Sequence, residues 1–89
     1  MILMYTLRIR AELDNKFEKL AKKNKKQLEI ILNKADEIVQ DPHRYKNLRF
    51  PMNHLKRVHI DKHFVLVFSV DEESMTVTLE DYDHHDNIY

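Results

Sequence analysis

The sequence predicts an α+β domain: an N-terminal strand, then a two-helix antiparallel hairpin packed on one face of a mostly antiparallel four-stranded sheet. Three observations carry this. The run Phe64-Val65-Leu66-Val67-Phe68-Ser69-Val70 is apolar at six of its seven positions. It is mostly β-branched or aromatic, so it needs cover on both faces, as a central strand does. Two consecutive segments of helical period precede it, and short polar turns separate it from alternating segments on either side, the pattern of a meander.

Residues 2 to 9 alternate, with Leu3, Tyr5, Leu7 and Ile9 on one side and Met4, Thr6 and Arg8 on the other, which is the period of a strand. From Ala11 to about Lys23, the apolar positions Leu13, Phe17, Leu20 and Ala21 follow helical spacing. Glu12 and Asp14 lie in the first turn and lysines in the last, as the helix dipole favours. Asn24 is expected to cap this helix in the left-handed conformation, in a chain with no glycine for that role. A second stripe, Leu28, Ile31, Leu32, Ala35, Ile38 and Val39, predicts a helix from about Lys25 to Gln40, stopped by Asp41-Pro42. A connection this short makes the two helices antiparallel neighbours. Lys22, Lys23, Lys25 and Lys26 crowd the tip, open to a plain reading as a solvated end or a sharper one as a nucleic-acid contact.

Residues 43 to 52 read as a charged loop that includes Lys46, Arg49 and Pro51. His54 to Ile60 alternates loosely and suits a strand, and Asp61-Lys62 turns the chain into the central one, residues 63 to 70. Asp71-Glu72-Glu73-Ser74 turns it again, and Met75, Val77 and Leu79 alternate with Thr76, Thr78 and Glu80 in a last strand that runs to residue 82. The hairpins fix the order of these three strands, and the N-terminal strand must pair at one edge.

A chain of 89 residues suits one domain, 1–89, with one core and no internal repeat. Its net charge is zero, but all 15 Lys and Arg residues lie at or before Lys62 while acids dominate after it, so a neutral balance hides a basic surface able to hold a polyanion. Without cysteine there is no disulfide, thiol nucleophile or thiolate-bound zinc, which fits a reducing cytoplasm. Without glycine there is no phosphate-cradling Gly-rich loop, dinucleotide fingerprint or nucleophile elbow. The apolar runs are too short to span a membrane, and Arg8 and Arg10 interrupt what would have to be a signal-peptide core.

Ser69 and Ser74 sit beside no plausible base, so histidine is the chemistry that remains, with six in the chain: His43, His54, His59, His63, His84 and His85. An imidazole titrates near neutrality, and a pair across a phosphate suffices for RNA transesterification, where the substrate's own 2′-hydroxyl is the nucleophile. Arg or Lys would neutralise the phosphorane. Arg57 and His59 share one face of their strand, His63 and Phe64 open the next, and the tail from Asp83 to Tyr89 should return to the same end of the sheet with His84, His85 and an aromatic ring. Asp83, His84, His85 and Asp86 also offer a metal a ligand set.

The whole chain resembles the RelE/ParE superfamily of toxin–antitoxin systems. The resemblance lies in the strand, the helical hairpin ending at Asp41-Pro42, the loop Tyr45-Lys46-Asn47-Leu48, the segment Leu55-Lys56-Arg57-Val58-His59-Ile60, the strand from Phe64 to Val70 and the close His85-Asp86-Asn87-Ile88-Tyr89. The close, with Val58-His59-Ile60, looks most like the histidine-rich YafQ-type branch. The resemblance implies a RelE-like fold and a cytoplasmic, ribosome-dependent endoribonuclease that cleaves mRNA without a metal or small-molecule cofactor and is held inactive by a cognate antitoxin. Carried over by position, His59 and His85 would be the acid–base pair, Tyr89 the ring that orients the mRNA, Phe64 a supporting or stacking aromatic, and Arg57 a phosphate contact. Lys46, Arg49, Lys56 and His84 would line the RNA path. His63 stands where that branch has an acidic residue, and the arginines common elsewhere in the superfamily are absent. The alternative is a non-enzymatic module of the same fold, directed at gyrase or lapsed in activity.

Overall fold

The computed structural model describes residues 4–88. Its elements run β1 (Thr6–Ile9), α1 (Ala11–Lys23), α2 (Lys25–Gln40), a 3₁₀ turn (Pro42–Arg44), β2 (Lys56–Ile60), β3 (Phe64–Asp71), β4 (Thr76–His84) and a last helical turn, α3 (His85–Ile88). The sheet order is β1-β4-β3-β2, with β1 parallel to β4 at one edge and the other pairs antiparallel. The α+β class, the helical hairpin and the central place of the 64–70 run match the expectation.

Amphipathicity explains the layering. Leu13 and Phe17 of α1 and Ile31, Ala35, Ile38 and Val39 of α2 are buried against Ile60, Leu66, Phe68, Val77, Leu79 and Tyr82 of the sheet. The alternate residues of β3, Val65 and Val67, are buried on the opposite face with Leu48, under Leu55 and Ile88. Both faces of the central strand are thus covered, one by helices and one by the loop before β2 together with α3. The open side of β2 is bridged by that loop, where the Arg57 N–H donates to the Lys46 carbonyl at 3.0 Å and Asn47 pairs with Lys56.

Several expectations are corrected. The strand before Asp61 starts at Lys56, not His54, because the carbonyls of Met52 and Arg49 draw the chain into turns there: Leu55 N–H donates to Met52 and Met52 N–H to Arg49. The central strand spans 64 to 71, and the last strand begins at Thr76 and continues to His84, two residues beyond the expected end. Ile2 and Leu3 lie outside the described residues, and the first strand is assigned from Thr6. Asn24 is not left-handed, since its φ is −152°. Its side chain instead accepts the Gln27 N–H at 3.1 Å, capping the start of α2, while its own N–H donates to Leu20.

The apolar stripe of α2 is also displaced. Leu32 is 43 % exposed, whereas Gln27 is buried at 8 %. Gln27 tolerates this because its amide donates to the Tyr82 hydroxyl at 2.9 Å, which satisfies a polar atom on each side of the helix–sheet interface. Left-handed backbone appears at Asp61 (φ 58°) and Met75 (φ 52°), one in each hairpin turn, and aspartate is among the few types other than glycine that adopt it readily.

Candidate active site

Directly paired strand residues share a sheet face. Arg57 and His59 of β2 are paired with Val67 and Val65, so they stand on the face away from the helices. β4 would carry its tail to the other face if it alternated without interruption. The register shifts between Val67 and Phe68, however, from Val67↔Asp81 to Phe68↔Leu79, leaving Glu80 as the extra residue of a bulge. Glu80 accepts the Ser69 hydroxyl at 2.6 Å there. Beyond the bulge Tyr82 faces the helices, and Asp81 and Asp83 face the side that holds Arg57 and His59.

The tail then folds into α3, tied to the β2–β3 turn by the His85 N–H donating to the His63 carbonyl at 2.7 Å. The imidazoles of His59 and His85 come to lie nearly parallel, with ring centroids 5.9 Å apart and planes 25° from each other. Both line a cleft of about 560 Å³ together with Arg57, Arg49, Phe50 and Met52. Among the described residues that line it there is no carboxylate. The His85 ring nitrogen Nδ1 lies 3.5 Å from Asp86.

Asp83 anchors the α3 turn. Its Oδ1 accepts the Asn87 side-chain amide at 3.0 Å and the His84 N–H at 2.7 Å, and Lys16 of α1 stands 3.9 Å from its other oxygen. The Asn87 hydrogen bond foremost, then the His84 N–H and the Lys16 charge, hold this carboxyl below the usual range. Lys16 also donates to the Tyr82 carbonyl at 2.6 Å, closing the edge of β4 that β1 is too short to cover.

The sequence-predicted residues therefore divide. His59, His85, Arg57 and Arg49 converge on one cleft. Phe64 does not join them. It faces the helices, its ring stacked on Tyr82 with centroids 5.1 Å apart, as the alternation of β3 dictates. His84, paired with Phe64, belongs to that side as well, stacked on His63 at 6.0 Å with planes 4° apart. The Lys56 ammonium is committed to the Tyr45 carbonyl at 3.1 Å and Asn47 at 2.9 Å. Lys46 is exposed on the neighbouring loop. Tyr89 lies outside the described residues. The Nδ1 atoms of His84 and His85 lie 3.6 and 3.5 Å from the two oxygens of Asp86, but among the described residues no group of three or more His, Asp or Glu side chains is placed to hold an ion.

Three residues have parts at the site that the sequence did not assign them. Phe50 stands on the lip of the cleft at 86 % exposure. Its signal was an aromatic next to proline in a loop with no period to demand one. Asp83 and Asn87, four apart, carry the spacing of side chains on one helical turn.

No family model matches this chain. It is 84 % identical over 86 residues to an uncharacterized protein of Methanosarcina mazei, covering 97 % of this chain and 100 % of that one. It is 59 % identical over 86 residues to a Methanocaldococcus jannaschii protein named "Putative toxin RelE4", covering 97 % of this chain and 92 % of the relative. Among solved structures, the fold is shared with the RelBE2 toxin–antitoxin complex of Mycobacterium tuberculosis (TM-score 0.79, 22 % identity, 96 % of this chain and 95 % of the other). It is shared also with the YoeB/ParE toxin of Agrobacterium tumefaciens (TM-score 0.78, 13 % identity, 90 % and 98 %). On the sequence identity it shares with RelE4 along nearly its whole length, in a fold common to RelE and ParE toxins, this chain belongs to the RelE/ParE superfamily of toxins.

Proposed function

We propose that this chain, acting as one unit from residue 1 to 89, is the toxin of a toxin–antitoxin pair and cleaves mRNA on the ribosome, in the cytoplasm, by histidine acid–base chemistry. The observation that carries the proposal is the nearly parallel His59–His85 pair in a cleft shared with two arginines and no described carboxylate. In such a site a neutral imidazole takes the proton of the RNA 2′-hydroxyl as the 2′-oxygen bonds to phosphorus. The protonated imidazole gives its proton to the 5′-oxygen as the bond from phosphorus to that oxygen breaks. The products are a 2′,3′-cyclic phosphate and a 5′-hydroxyl. Nearly parallel rings with centroids 5.9 Å apart can each turn an edge nitrogen toward the oxygens of one phosphate laid across them. Arg57 and Arg49 supply the charge that the phosphorane gathers, and a YafQ-like reliance on histidine accounts for the absence of the superfamily's usual arginines.

The partner proteins follow from the same reading. A free toxin of this kind would halt its host's translation, so a cognate antitoxin would hold it inactive; the RelBE2 structure is itself of a toxin–antitoxin complex. The test is expression in cells with mRNA mapped by primer extension. The wild type should arrest growth and truncate mRNA. His85→Ala and His59→Ala should each lower cleavage about 100-fold or more while leaving the thermal transition in place. Intact mRNA with the wild type, or full cleavage by His85→Ala, would overturn the proposal.

A further inference from the structure

We infer that Phe50 is a stacking platform for a nucleobase, and that the loop from Asn47 to Leu55 reads the base beside the cut. The inference rests on the nuclease reading above and assigns the residue that would give it base preference. Phe50 is a large apolar ring with 86 % of its surface exposed, at the lip of the cleft that holds His59, His85 and Arg57. Such a ring in water invites a partner with a flat apolar face, and every base has one.

The ring is presented on a braced support. Leu48 is buried beneath the sheet, and its N–H donates to the Leu55 carbonyl at 2.8 Å. Met52 N–H donates to Arg49 at 2.9 Å, Leu55 N–H to Met52 at 3.0 Å, and the Asn47 amide to the Asn53 carbonyl at 2.7 Å. A loop tied at this many points positions its aromatic before a ligand arrives, so little ordering remains to be done on binding.

Charge selects the class of ligand. Arg49 and Arg57 line the same cleft as the ring, and the described lining of this cleft carries no carboxylate. The second cleft on the same face, about 790 Å³, contains Glu12, Glu80 and Asp81 beside its cations and is poorly suited to a polyanion. An exposed aromatic in one cleft with two arginines and two imidazoles is the chemistry of single-stranded RNA recognition. An acidic protein segment would use the cations and the ring but would have no use for the imidazole pair.

The test is cleavage of a defined mRNA in a translating extract, with rates and cut sites mapped for the wild type, Phe50→Leu, Phe50→Ser and Phe50→Trp, after melting curves establish that each variant is folded. Phe50→Leu keeps an apolar side chain but removes the π face. It and Phe50→Ser should slow cleavage about 10-fold and flatten the base preference at the cut, and Phe50→Trp should restore both. Wild-type rates and cut sites in Phe50→Leu or Phe50→Ser would overturn the inference and leave the nuclease reading standing. Unchanged cleavage with weakened binding of a co-expressed protein partner would also overturn it, making the lip a protein dock. A wild type that cuts nothing would remove the nuclease reading itself, and this inference with it.

Discussion

At the scale of single residues, Asp83 shows how a side chain outside the cleft conditions it. Its carboxylate is held ionised by the Asn87 amide, the His84 N–H and the nearby Lys16, and it closes the turn on which His85 sits. Its folded value lies below that of the unfolded chain, so its contribution to stability is present above about pH 3.9 and is lost as the pH falls through the folded value. Asp83→Asn should therefore melt below the wild type at pH 7, and the gap should close on titration toward pH 3. A gap that persists unchanged at low pH would show that the charge is not what matters. The Tyr5 hydroxyl is shifted the opposite way, held above its ordinary value by partial burial and by the Glu72 carboxylate to which it donates. His43 also contacts that carboxylate, so this trio ties β1, the 3₁₀ turn and the β3–β4 turn together at the end of the sheet remote from the histidine cleft.

At the scale of elements, the helical hairpin depends on one connecting residue. The sequence alone places Asn24 at the end of α1 in the left-handed region, where glycine would be the better residue. Asn24 instead has extended φ and uses its side chain to start α2. Asn24→Ala should then cost about 1 kcal/mol in chemical denaturation, and Asn24→Gly a few tenths. A stabilising Asn24→Gly would restore the left-handed reading. The strands also hold their place by what covers them: β3 is buried on both faces, and the outer side of β2 is bridged by residues 46 to 48. Edge β1 is short, four residues, and β4 beyond it is closed by Lys16 from α1.

At the scale of the whole molecule, the helical layer and the sheet meet through Tyr82. Its ring packs between Phe17 and Phe64, and its hydroxyl takes the Gln27 amide hydrogen. Burial foremost raises this hydroxyl above its ordinary value. Because the folded value exceeds the unfolded one, the stabilisation is complete below about pH 10 and is lost as the pH rises beyond it. The wild type should lose melting temperature more steeply than Tyr82→Phe between pH 9 and 11, read by calorimetry. Gln27→Ala should cost about 1 to 3 kcal/mol, because it orphans a buried hydroxyl.

The sequence by itself determined the element order, the helical hairpin, the doubly covered central strand and the placing of Arg57 and His59 on one face. All of these are local matters of period and of where polar residues interrupt it. It did not determine which face receives the tail. Val77 and Leu79 face the helices, and strict alternation from them would have turned Asp81, Asp83 and His85 inward and Tyr82 outward. The tertiary structure decided otherwise, because burying a tyrosine ring against two helices is favourable where burying aspartates is not, and one extra residue, Glu80, resets the alternation. That single insertion puts Asp83 on the side of His59 and pairs His84 with Phe64, and the α3 turn, tied by the His85 N–H to the His63 carbonyl, then brings the His85 ring to His59. A pattern read two residues at a time carries no record of it until the packing of both faces is known.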